Sequence, residues 1–180
     1  MTAFSLVNRR ILVLSYFFLF TFPFLLSNVS AQDDPPDIAP PPLKFVSKEE
    51  LAQLNPVTDV KKRTKLALQL MAGRLTQAET FHSREQLDDM FKQLGGFHGL
   101  MDNTLAFLDR SDKDSGKVLN NYKRLELGLR EYRPRLETIR RDLPLRYEFY
   151  VRSLIKHLRD ARAKAVEPLF SDTVVPNKKT

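Results

Sequence analysis

His98 is the side chain of this sequence best placed to do chemistry, because it stands in Leu94-Gly95-Gly96-Phe97-His98-Gly99, a stretch holding three of the six glycines. Imidazole is a common metal ligand. A glycine inside a helix costs about 1 kcal/mol relative to alanine, so three together imply a structural gain, either a close backbone approach or a bend. Two readings follow. In one, His98 is buried and a hydrogen bond with Tyr122 satisfies its ring. In the other, the missing side chains open a pocket for a small ligand or a metal ion, bounded by Gly95, Gly96, His98 and Tyr122.

Haem held between His and Met is the next chemistry to weigh, with Met71, Met101, His98 and His157 as candidates. The two methionines fall at helix spacings ordinary for core, and His157 sits beside the apolar position Leu158. The repeated Glu-x-x-His pairs of dimetal carboxylate bundles are missing. So are the nucleophile elbow, the phosphate loop, the His-Glu-x-x-His pair and the glycine-rich dinucleotide turn. With three histidines and no cysteine, few nucleophile–base arrangements remain. These motifs assign no catalytic residue, no cofactor and no resident metal, and the chain reads as a non-enzyme. The absence of cysteine also excludes disulfides, thiolate metal sites and covalent haem attachment.

Charge is uneven. Without Arg9 and Arg10, 27 basic residues face 22 acidic ones, a net +5. Residues 133–164 alone carry ten Lys/Arg and four Asp/Glu. Acid-then-base pairs at i,i+4 (Glu126–Arg130, Glu131–Arg135, Glu137–Arg141, Glu148–Arg152 and Asp160–Lys164) describe a solvated helix surface. Arg140, Arg146, Lys156, Arg159 and Arg162 are left over and could contact an anionic membrane surface. Lys61, Lys62, Arg63 and Lys65 are likewise unpaired. No nucleic-acid module is present.

The elements that must position these residues are helices. Residues 1–31 show the order of a secretory leader: Arg9-Arg10, an apolar run from Ile11 to Leu26, then Ser30-Ala31. The run is short of the roughly 20 residues needed to span a bilayer and Pro23 interrupts it, so cleavage after Ala31 and export to periplasm or medium are expected. Residues 32–46 form a proline-rich linker, extended rather than helical. Ser47-Lys48-Glu49-Glu50 is a capping box for a short helix toward Leu54. Asn55-Pro56 should open a long helix to about Thr80 with Val60, Ala67, Met71, Leu75 and Ala78 inward.

Ser83-Arg84-Glu85-Gln86 is a second capping box, followed by Leu87, Phe91, Leu94, His98, Met101, Leu105 and Leu108 at alternating spacings of four and three. After a turn at 110–117, the same rhythm links Val118, Tyr122, Leu125, Leu129, Tyr132, Leu136, Ile139 and Leu143. It keeps phase through Pro134, where a kink is expected. Pro144 opens the last helix, with Tyr147, Val151, Leu154, Leu158, Ala161 and Ala165 inward, and residues 171–180 form a polar tail.

The expected fold is therefore all-α: an antiparallel up-down-up-down four-helix bundle over residues 47–170 with a short extra N-terminal helix. Folding back near Asp112 should bring His98 toward Tyr122 and Leu125. Three functions fit: a binding or structural accessory of the cell envelope, a small-ligand or metal carrier at His98, and a peripheral binder of anionic membrane. Leu66, Leu70, Leu100, Phe107, Phe149 and Ile155 fall outside the narrow seams. They either widen the core-facing stripe or form a patch for a protein partner or a second copy.

Overall fold

The computed structural model describes residues 38–112 and 115–170. The expected leader, the linker before residue 38 and the tail lie outside the described residues. Within them the protein is an all-α bundle. Its helices are α1 (Lys48–Leu54), α2 (Val60–His82), α3 (Leu87–Asp109), α4 (Gly116–Asp142) and α5 (Leu145–Val166), followed by a 3-10 turn at Glu167–Phe170.

Local hydrogen bonds fix where helices start, and two starts differ from expectation. The box at Ser47 forms in full: Ser47 Oγ accepts from Glu50 N and Glu50 Oε2 from Ser47 N. Asn55, however, ends α1 by donating its N–H to Leu51 O at 2.9 Å, so it cannot begin α2. Asp59 does so, its Oδ1 accepting from Lys62 N at 2.8 Å. Ser83–Gln86 closes α2 rather than opening α3. The N–H of Gln86 bonds to Phe81 O and that of Glu85 to His82 O, with Glu85 at φ 58°. Those two bonds are the Schellman pattern for a helix end. Helix α3 then begins at Leu87 without a side-chain cap.

The apolar periodicity does place the core. Every position of the Val118–Leu143 seam is buried, and Met71, Leu75, Leu94, Met101, Leu108, Val151, Leu154 and Leu158 join it at zero or near-zero exposure. Helix α4 is continuous through Pro134. Of the apolar residues outside the seams, Leu100 is fully buried while Leu66, Leu70, Phe107 and Ile155 pack against the core; Phe149 stays 56% exposed.

Helix directions alternate, yet sequence neighbours are not always spatial neighbours. Helices α2 and α3 form one antiparallel hairpin, α4 and α5 a second. The hairpins stack with α2 beside α4 and α3 beside α5, each a parallel pair, while α3 and α4 lie across the diagonal. Register shows this directly: Asp59 meets Lys117, Tyr132 meets Leu68, and Arg135 meets Glu79.

Candidate metal centre

The glycines of α3 are used by the chain itself. Residues 38–46 run as an extended strap across α3, with Phe45 N donating to Gly95 O at 3.4 Å and Ala39 N to Arg146 O at 3.1 Å. A Cβ on Gly95 would overlap the Leu43 carbonyl, and one on Gly99 the Phe45 carbonyl, so the pair lets backbone lie on backbone. Gly96 makes room for Arg74, whose Nε would sit 2.8 Å from an added Cβ. Arg74 bonds Glu50 Oε1 at 2.8 Å and Gln93 Oε1 at 2.7 Å and lies over the Phe45 ring. The pocket expected at Gly95 and Gly96 is therefore filled by Leu43 and Arg74.

His98 does not meet Tyr122. The Tyr122 hydroxyl donates to Asp109 Oδ1 at 2.8 Å. Because α5, not α4, lies beside α3, His98 faces His157, with ring centroids 4.4 Å apart. His157 Nε2 lies 2.7 Å from Asp102 Oδ1, and Lys44 Nζ, carried by the strap, lies 2.7 Å from Asp102 Oδ2. His98 Nε2 is buried and has no hydrogen-bond partner.

One ligand atom each from His98, Asp102 and His157 falls within 4.8 Å of the others. Among the described residues no second group of three such side chains comes so close. His98 and Asp102 are one helical turn apart on α3, and α5 supplies His157 in parallel register. Two imidazoles and a carboxylate suit Zn²⁺ and its first-row neighbours, at about 2.0–2.2 Å per bond. Ligand atoms that far from one tetrahedral ion stand about 3.3 Å apart, so His157 and Asp102 would separate by roughly half an ångström. A groove of about 290 Å³, lined in part by Leu105, Ala106, Ala161 and Lys164, opens beside Asp102 and His157.

Burial holds the His98 pKa down to about 4, helped by neighbouring His157 and Lys44 and opposed by Asp102. For Asp102 burial acts upward, but the hydrogen bonds from Lys44 and His157 outweigh it and leave the carboxyl below its ordinary value.

The remaining candidates are scattered. Arg140, expected to be free, is held by Glu137 and Glu148; Arg162, also expected free, bonds Glu126 at 2.7 Å. Arg159 lies 3.8 Å from Asp160, Lys156 is exposed, and Arg146 lies over the Tyr147 ring. Three expected i,i+4 pairs yield to other partners: Arg135 turns to Glu79, Lys164 to Asp109, and Glu137 to Arg140. Glu126–Arg130 and Glu148–Arg152 form. Met71 and Met101 are wholly within the core. Asp102 belongs to no recognised motif in the sequence; its only signal is the spacing His98-x-x-x-Asp102, which places both side chains on one helix face. Comparison with known proteins finds no matching family model, no matching curated protein and no matching solved structure.

Proposed function

We propose that this chain is an exported, non-enzymatic carrier of a divalent transition-metal ion, bound by Nε2 of His98 and His157 and by the Asp102 carboxylate. Two observations at one residue carry this reading: His98 Nε2 is buried without a partner, and one ligand atom of His98 lies within 4.8 Å of one from Asp102 and one from His157. Buried polar atoms ordinarily have partners, and one without calls for an explanation such as an ion. Export is supported by the leader pattern in residues 1–31.

Calorimetric titration with Zn²⁺, together with the visible spectrum on adding Co²⁺, tests the reading. Micromolar or tighter binding is expected, weakened about 100-fold or more by His98→Ala or His157→Ala. Binding that survives both substitutions, or its absence in the unaltered protein, would reject it.

A second reading rests on Leu145 and Phe149, one turn apart on α5 and 80% and 56% exposed. They offer a small apolar contact for a partner helix. Light scattering on the protein and on a Leu145→Glu/Phe149→Glu variant is its test. An unaltered protein that is monomeric at all accessible concentrations counts against self-association.

A further inference from the structure

We propose that Lys44 is a built-in competitor of the metal ion: it neutralises Asp102 in the metal-free protein, sets the affinity of the site, and yields on metal binding so that the strap loosens. This rests on the metal reading above and adds its regulation.

Asp102 has two oxygens and both are engaged. Oδ1 meets His157, and Oδ2 meets the Lys44 ammonium at 2.7 Å. Lys44 is not a surface lysine that happens to lie nearby. Leu43 and Phe45 on either side of it rest their backbones on Gly95 and Gly99, so the strap delivers residue 44 to one place on α3. Its side chain is 50% exposed, which gives the ammonium an open way out to water.

A divalent ion at Oδ1 and a monovalent ammonium at Oδ2 of one carboxylate repel each other. Even with water-like screening, charges a few ångströms apart interact enough to change an equilibrium constant severalfold, and a doubly charged ion doubles that effect. An ion therefore binds about tenfold more weakly with Lys44 in place than without it. By reciprocity, the bound ion weakens the Lys44–Asp102 contact by the same factor. The strap then keeps its backbone bonds, Phe45 N to Gly95 O and Ala39 N to Arg146 O, and the packing of Phe45 under Arg74, but loses its tie to Asp102.

The test is a Zn²⁺ titration of the full chain beside Lys44→Met and Lys44→Arg. Met keeps the length and apolar stem of the side chain, while Arg keeps the charge. The expected result is a zinc Kd about tenfold lower in Lys44→Met and within twofold of the unaltered value in Lys44→Arg. Amide hydrogen exchange at Phe45 should quicken when zinc is added to the unaltered protein and should be quick beforehand in Lys44→Met. Equal Kd values in all three proteins, with binding still abolished by His98→Ala, would overturn the role of Lys44 and leave the site standing. Failure of every protein to bind zinc would remove the site and this inference together.

Discussion

The bundle has two seams between parallel helices, and they are built differently. Along α2–α4, three polar pairs tie the helices together. Lys117 reaches Asp59 at 2.7 Å, the Tyr132 hydroxyl donates to Leu68 O at 2.8 Å, and Arg135 grips Glu79 through two nitrogens. Along α3–α5, the middle is occupied by two imidazoles in contact with their planes tilted by 51°, one with a buried nitrogen left over, and by a carboxylate shared with the strap. The register is nearly the same in both, so topology alone does not separate them. What differs is where side chains able to hold an ion gather: among the described residues His98, Asp102 and His157 meet on the α3–α5 seam, whereas the other buried polar atoms without a partner, Thr64 Oγ1 and His82 Nδ1 on α2 and the Tyr150 hydroxyl on α5, have no such cluster around them. The first seam uses its polar pairs to hold helices together, whereas the second leaves the buried His98 Nε2 unpaired beside two other ligating groups, at a cost of about 1–3 kcal/mol.

Substitutions can break or sharpen this contrast. The largest effect is expected at the strap. Gly99→Ala puts a methyl into the Phe45 backbone and should destabilise by about 1–3 kcal/mol. Gly73→Ala on α2, with open space around it, should stabilise by about 1 kcal/mol. Chemical denaturation of both reads the difference; equal effects would mean the strap does not press on α3.

Next come two deletions of one polar group each, expected to act with opposite sign. Tyr132→Phe removes the bond to Leu68 on the α2–α4 seam and should cost about 0.5–1.5 kcal/mol. His98→Leu removes the orphaned nitrogen on the other seam and should stabilise the metal-free protein by about 1 kcal/mol. Thermal melts in chelator suffice, and a destabilised His98→Leu protein would argue that His98 is satisfied after all.

The smallest effect concerns acid. The Lys117 ammonium and the Lys62 N–H hold the Asp59 carboxyl down to about 2 from an ordinary value near 4. A carboxyl depressed on folding contributes stability above its unfolded pKa and loses it as pH falls through the folded one. Stability should therefore decline between about pH 4 and pH 2, and Asp59→Asn, which can still cap α2, should flatten that part of the curve.

Much of this architecture can be read from residue spacing. The eight apolar positions from Val118 to Leu143 all reach the core because a helical stripe that wide has nowhere else to go. Helix starts were less legible. Asn55 and Ser83 are good N-caps by type, but each closes the preceding helix with its own backbone N–H, and which use prevails depends on the next turn. Pairing of whole helices was not legible at all. Short connections predict that α3 faces α4 and hence that His98 meets Tyr122. The observed stacking gives it His157 instead, and it also explains why Arg135 and Lys164 leave their i,i+4 partners for acids across a seam. The glycines announced a close approach correctly, but nothing local says that the approaching backbone is the proline-rich segment 50 residues earlier.

The contact between Asp102 and His157 joins the first hairpin to the second across 55 residues of sequence. In a chain without a single cysteine, an ion gripped there would do the work of a disulfide, closing a long loop that the denatured polymer would otherwise leave free. Unlike a covalent cross-link, it could be fastened or undone by the concentration of free metal around the protein, so the halves would be tied together only where that metal is plentiful.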